Sequence, residues 1–320
     1  MASIFIQIPS YHDEELILTI ENLILRSSKN NIINFGIHNG YYLEPIFDEK
    51  ILKSVNKKNK ISVHSSAFPE NIGVGISRNI ANSFYDGEDY YFQIDSHMRF
   101  IKNWDEIMID NHRTMMEDYG FEKLILSNYP AHYSYHKMND FQNEDNGLFF
   151  NTTGPGKRIV IDEFSEISTF FNLIPNYNVS LRKLKYYIGN TYLSGANVFT
   201  SGDYHLIKPN TQILHKYDEM LTGFRAYTHG FDVMPQRWEY CYHLYRSCIP
   251  KDDSDLGFID FCSKQNKRRF INHDLHINNI DTFSFRDLEE IKDIVLNNRI
   301  DDQGFGSIRD FSEILKKLRH

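Results

Sequence analysis

Between residues 3 and 94 the chain alternates short apolar runs with segments whose Leu and Ile recur at helical spacing. Residues 3–8, 33–37, 60–64 and Tyr90–Ile94 read as strands, and residues 14–27, 48–55 and 74–84 as the helices between them. Strands separated by helices pair in parallel, because each helix returns the chain across the sheet in a right-handed crossover. The pattern implies an α/β fold with a mainly parallel central sheet flanked by helices. Such a sheet gathers its loops at one edge, so residues 9–13, 39–42, 65–71 and 95–97 are expected to cluster there.

The last of those loops carries Asp95-Ser-His97. An isolated Asp-x-His reads more readily as a turn, in which the Asp caps backbone N–H groups and the His lies on the surface, than as a metal site. Here the triplet directly follows an apolar, aromatic strand, at the carboxyl edge where open α/β sheets bind ligands. The context favours a metal site. A carboxylate and an imidazole two residues apart suit a divalent ion such as Mn²⁺ or Mg²⁺, while the absence of a nearby cysteine argues against structural zinc.

Beyond this point residues 104–119 read as a helix and 123–127 as a strand. Residues 131–157, polar and without clear period, read as a long loop or insertion, either a lid or a merely mobile segment. A strand is expected over 191–200, with Ser194-Gly-Ala196 in its middle permitting close backbone approach. A short helix over 220–228, a strand over 237–245 carrying His243, and helices over 285–297 and 308–318 complete the reading. Three divisions are expected, residues 1–130 and 131–250 as two halves of one domain and 251–320 as a helical extension, with no linker that marks a firm boundary between them.

With 320 residues, 41% of them hydrophobic, the chain has ample material for a core. A formal charge of −8 removes the electrostatic motive for a nucleic-acid partner. The basic runs at 57–60 and 264–269 read as solvated faces, the second a possible contact for a phosphate. Cys241, Cys248 and Cys262 have no paired spacing, which fits a reducing compartment. No apolar run nears the ~20 residues that span a bilayer. A cytoplasmic location without an integral membrane segment is expected.

Several segments then match one family in order and spacing: Ile6-Gln-Ile-Pro-Ser-Tyr-His-Asp-Glu14, Gly75-Ile-Ser-Arg-Asn-Ile80, Gln93-Ile-Asp-Ser-His-Met-Arg-Phe100 with Trp104-Asp105, the run from Asp218 to Asp232, Tyr242-His-Leu-Tyr-Arg246, and Gly304-Phe-Gly-Ser-Ile-Arg309. On these the chain resembles the cytoplasmic polypeptide N-acetylglucosaminyltransferases that modify a hydroxyproline in protists, and more distantly the polypeptide N-acetylgalactosaminyltransferases. The resemblance covers nearly the whole chain, leaving the segment after Pro130 unaccounted for.

It implies a GT-A type nucleotide-diphospho-sugar transferase with a UDP-sugar donor, UDP-GlcNAc first among them, Mn²⁺ or Mg²⁺ as cofactor, and a protein hydroxyl or a glycan as acceptor. It implies retention of anomeric configuration, by front-face attack or double displacement. Asp95 and His97 would ligate the metal, with His243 as third ligand and Asp95 also on the donor side. Asp218 and Glu219 stand where the family has Gly-Glu-Glu: Glu219 is expected to orient the reacting hydroxyl and Asp218 to contact the sugar. Taken alone, Asp218 reads as a helix N-cap and Glu219 as a dipole partner. Ser10 and Tyr11 are expected against base and ribose. Arg78 would approach uracil or phosphate, or form a surface pair. Arg225 and Arg246 would bind phosphate or support the acids, and Trp104 and Asp105 would pack and cap their helix. Because Tyr217 and Asp218 depart from the family pattern, a catalytically silent nucleotide- or glycan-binding module is the alternative.

Overall fold

The computed structural model describes residues 1–41, 44–55, 58–67, 73–133, 193–214, 217–236, 239–244 and 280–317. The alternation foreseen in the first 94 residues is present: β1 (Ser3–Tyr11), α1 (Glu15–Arg26), β2 (Ile32–Tyr41), α2 (Glu49–Ser54), β3 (Ile61–Ala67), α3 (Val74–Asn82) and β4 (Tyr90–Ile94). Then follow β5 (Met98–Phe100), α4 (Trp104–Tyr119), β6 (Leu124–Leu126), β7 (Ala131–His132), β8 (Asn197–Ser201), α5 (Asp218–Thr228), β9 (Asp232–Met234), β10 (Cys241–His243), α6 (Ile280–Leu296) and α7 (Phe311–Lys317).

Among the described residues seven strands form one sheet, in the order β3-β2-β1-β4-β8-β6-β9. Every pairing is parallel except the two that β8 makes, with β4 and β6. The mainly parallel sheet flanked by helices that the GT-A resemblance implies is therefore what the chain forms. β6, β8 and β9 extend the sheet of β1 to β4, so the described parts of the first two expected divisions share one sheet.

Alternation along β1 explains the layers. Ile4, Ile6 and Ile8 enter one core with Leu16, Ile20 and Leu23 of α1, Leu52 of α2, and Trp104, Met108 and Met115 of α4. Phe5 faces the other side, with Tyr91, Val198, Ala226 and Phe231. Strand side chains alternate between faces, so one strand serves both cores. On the second face α3 lies very close to the sheet: a Cβ on Gly36 would fall 2.5 Å from the Ala81 carbonyl oxygen and 2.4 Å from the Phe5 ring. Only glycine fits there. A further layer, Ile291, Ile294, Phe305, Phe311 and Ile314, covers Met220, Leu221, Phe224 and Tyr227 of α5.

Several expectations need correction. The strand expected over 191–200 begins, within the described residues, only at Asn197; Ser194 bridges back to Asn197 and residues 194–196 form a turn. Asp218 is not the N-cap of its helix. Tyr217 holds that place in a left-handed conformation (φ 65°), and Asp218 is the first helical residue. Asp105 does not cap α4 either: it accepts hydrogen bonds from the Ser28 backbone (2.8 Å) and hydroxyl (2.7 Å) and from Asn31 (2.9 Å), tying α4 to the α1–β2 connection. Trp104 does pack, fully buried, its indole N–H donating to the Leu23 carbonyl at 3.0 Å.

Nearly all of the 131–157 segment, Arg246, Cys248, Cys262 and the 264–269 run lie outside the described residues, as do Tyr42, Lys57 and residues 68–71. Among the described residues no helix is long and apolar enough to cross a membrane.

Candidate active site

The site grows from the turn between β4 and β5. Thr19 of α1 holds that turn from beneath, donating its hydroxyl to the Ser96 carbonyl (2.7 Å) and accepting the Met98 N–H (2.9 Å). Behind it Arg99 and Glu15 form a buried ion pair at 2.5 Å, and the Tyr133 ring lies 5.1 Å from the guanidinium. With its backbone polar groups satisfied inside the protein, the turn has few alternative conformations.

A second sheet, in the order β5-β10-β7, delivers the distant histidine. β10 pairs antiparallel with β5 so that His243 stands opposite Met98, and the Leu244 N–H donates to the His97 carbonyl at 3.1 Å. Asp95, His97 and His243 thus meet, with one potential ligand atom from each lying within 4.8 Å of the others. The two imidazole rings are 4.5 Å apart, and His243 Nε2 lies 3.1 Å from Asp95 Oδ2. Burial disfavours the Asp95 charge, yet the hydrogen bond from His243 and the proximity of His243, His97 and Arg78 outweigh it, holding the carboxyl well below its ordinary value.

One carboxylate and two imidazoles, without a thiolate, fit a divalent cation of the Mn²⁺ or Mg²⁺ type. The His243–Asp95 contact strengthens the fit. The two atoms face one another at hydrogen-bond distance, and a cation bound between them would take the place of the proton that links them, since ligands give up protons when metal binds.

Next to this cluster stands a second group of charges. Arg78 is buried rather than on an exposed helix face, and it pairs with Asp218. Burial works against its charge, but Asp218, Asp95 and Glu219 together raise its pKa above the ordinary arginine value. Glu219 accepts the Gly195 N–H at 2.6 Å and the Tyr129 hydroxyl. Burial pushes its carboxyl up to about 7, against the opposing pull of those two hydrogen bonds and of Arg78. The small residues at 194–196 find their reason here. A Cβ on Gly195 would fall 2.4 Å from an Arg78 guanidinium nitrogen and 3.3 Å from Glu219 Oε1, and Gln93 of β4 fixes the Gly195 carbonyl at 2.9 Å.

The expected residues are therefore gathered unevenly. Asp95, His97 and His243 form one cluster, and Arg78, Asp218 and Glu219 another beside it. Ser10 and Tyr11 close β1 but, as successive strand residues, project to opposite faces. Tyr11 shares the parity of Phe5 and Gln7, the face of α3 and Arg78. Ser10 shares that of Ile6 and Ile8, buried, its hydroxyl without a hydrogen-bond partner among the described residues. Arg225 is fully buried and donates to the carbonyls of Gly304 (2.7 Å) and Asp302 (2.9 Å), anchoring the C-terminal segment to α5. The roles of Asp13, Thr19, Tyr129 and Gly195 were not anticipated. Asp13 had a signal, since it sits in one of the four loops expected to converge.

Comparison with known proteins follows the same direction. A family model described as Glycosyltransferase (GlcNAc) matches residues 43–252. No curated protein matches the chain. Similar solved structures include S. aureus TarS, at 14% identity and a TM-score of 0.43, over 77% of this chain and 37% of that one. A 1–349 form of TarS in complex with UDP-GlcNAc is similar at 14% identity and a TM-score of 0.41, over 77% and 59%. GalNAc-T7 with UDP, GalNAc and Mn²⁺ is similar at 10% identity and a TM-score of 0.48, over 80% and 45%. The chain spans less than two thirds of the length of each. The family match takes in about two thirds of the chain and all six residues of the two clusters, and the chain belongs to this glycosyltransferase family.

Proposed function

We propose that the protein moves N-acetylglucosamine, or a related hexosamine, from a UDP-sugar to a hydroxyl on a protein or glycan, with retention at the anomeric carbon and with a divalent metal as cofactor. The observation that carries this is the meeting of Asp95, His97 and His243 beside Arg78, Asp218 and Glu219 at the carboxyl edge of the sheet. The resemblance to hydroxyproline-directed N-acetylglucosaminyltransferases supports the choice of donor, and makes a hydroxyproline peptide the first acceptor to try.

Asp95, His97 and His243 would hold Mn²⁺ or Mg²⁺. Bound there, the ion would neutralise the charge that develops on the diphosphate as it leaves. Glu219, its carboxyl poised near neutrality in a buried setting, hydrogen-bonds and orients the acceptor hydroxyl. Asp218 contacts the donor sugar while Arg78 fixes its direction. Arg78 also brings a positive charge toward Asp95, on the side where the diphosphate is held. The bond from the anomeric carbon to the diphosphate breaks with its electron pair leaving on UDP, a bond to the acceptor oxygen forms, and the acceptor proton passes to the Glu219 carboxylate or to the departing diphosphate oxygen, and from there to solvent.

The test is a screen of UDP-sugars for hydrolysis and for transfer to hydroxyproline peptides and oligosaccharides, with and without Mn²⁺. Turnover of UDP-GlcNAc that requires the metal and is abolished in Asp95→Ala is expected; no turnover of any UDP-sugar would overturn the enzyme reading. The ion pair that engages Asp218 favours one second reading, a catalytically silent module. Metal-dependent UDP binding without turnover across that panel is its signature.

A further inference from the structure

The loop after β1 contributes a residue to the cluster that the metal reading did not include. The chain leaves β1 through His12, whose left-handed backbone (φ 50°) redirects it toward the β4–β5 turn. Asp13 follows, buried, and its Oδ2 lies 2.6 Å from His97 Nδ1 and 2.7 Å from the Ser96 hydroxyl. Its other oxygen, Oδ1, accepts the Glu15 N–H at 3.0 Å. A carboxylate so placed only accepts, so the proton of the neutral His97 ring belongs on Nδ1 and the lone pair on Nε2.

We infer that Asp13 is the positioning residue of the metal site, fixing the tautomer and ring orientation in which His97 offers Nε2 to a divalent cation. The inference rests on the metal reading above and concerns a residue that need not touch the ion. A carboxylate behind a ligating imidazole holds the ring in place and raises its basicity. The backbone makes Asp13→Asn a decisive substitution. The Glu15 N–H can only donate, so the amide oxygen stays opposite it and the amide NH₂ takes the place of Oδ2. That NH₂ donates to Nδ1, which moves the ring proton to Nε2 and removes the lone pair a metal needs.

The experiment uses metal-free full-length protein with ¹⁵N-labelled histidine, the His97 resonances being assigned by their loss in His97→Gln. Wild type is expected as the Nδ1–H tautomer and Asp13→Asn as Nε2–H. Mn²⁺ affinity, read from the electron paramagnetic resonance of the free ion, is expected to fall roughly 10–100-fold in the variant. Ser96→Ala, which removes only the hydroxyl sharing Oδ2, should keep both the tautomer and the affinity. An Nε2–H tautomer in the wild type, or the same tautomer in wild type and Asp13→Asn, overturns the inference, and the first of these needs no variant to fold. A wild type that binds no Mn²⁺ overturns the metal reading instead, while the tautomer comparison still decides whether Asp13 orients His97.

Discussion

Glu219→Gln separates the burden that a buried acid places on the fold from the work it does in transfer. In the native protein burial raises the Glu219 carboxyl from an ordinary 4.5 to about 7. An acid whose folded pKa exceeds its unfolded one binds more proton in the fold between those two values, so stability declines as pH rises through the window and stays lower above it. One pKa unit corresponds to about 1.4 kcal/mol, so the gap from 4.5 to about 7 sets a ceiling of about 3 kcal/mol.

Glutamine keeps the shape. Its amide oxygen can accept the Gly195 N–H and its NH₂ can donate to the Tyr129 hydroxyl, which rotates to suit. The difference in unfolding free energy between variant and wild type, measured by urea denaturation from pH 4.5 to 8, should thus grow in favour of glutamine by up to about 3 kcal/mol. Taking the difference cancels the titration of Asp95, which runs in the opposite sense. Transfer should suffer in the same variant: kcat falls about 100-fold or more, with KM for the UDP-sugar little changed, because the lost group acts on the acceptor. Stability curves that run parallel across the window would refute the reasoning about burial.

Asp95→Ala and His243→Ala should each abolish Mn²⁺-dependent UDP binding, read as the loss of the thermal shift that UDP and Mn²⁺ together produce in wild type; an undiminished shift in both would remove these residues from the metal site. Arg78→Met leaves Asp218 buried without its partner, which costs about 3–5 kcal/mol. The double variant Arg78→Met/Asp218→Leu should recover most of that in chemical denaturation, and no recovery would mean that the pair is not what the single variant broke. Burial, aided by the neighbouring His64 charge, lowers His38 to about 4, its ring held between the Ser77 and Ser66 hydroxyls at 2.7 and 2.8 Å. The unfolded chain therefore takes up a proton near pH 6.5 that the fold refuses, and stability falls as pH drops from 6.5 to about 4. His38→Gln should flatten that acid limb, and an unchanged limb would assign it to other groups.

Local signals were enough for much of the fold. The helix over Trp104–Tyr119 and the strand Tyr90–Ile94 stand where periodicity puts them, because each buries a face wide enough to mark the sequence. β5 and β7 were missed for the converse reason, and of the strand expected over 237–245 the described residues show only Cys241–His243, as β10. These strands have two or three residues each and exist through one another; β5 and β10 meet across more than 140 residues of chain. Asp218 was misread as a cap because its side chain is equally suited to capping and to the ion pair, and Arg78, 140 residues away, decides between them.

The site was legible where it coincides with a strand end and illegible where it depends on strand order. Asp95 and His97 follow β4 directly, so an alternating pattern was sufficient to raise them. Asp13 reaches His97 because β1 pairs with β4 although α1, β2, α2, β3 and α3 lie between them in sequence. The order β3-β2-β1-β4 reverses direction there: from β1 the chain steps outward to β2 and β3, then returns across to β4 and onward to β8. Loops that leave two such neighbours part in opposite directions and open a crevice between them, the place where doubly wound sheets bind ligands. Asp13 and His97 face each other across that crevice at 2.6 Å. What holds the histidine is thus fixed by the crossover that makes β1 and β4 adjacent, a property of the whole sheet that no single segment carries.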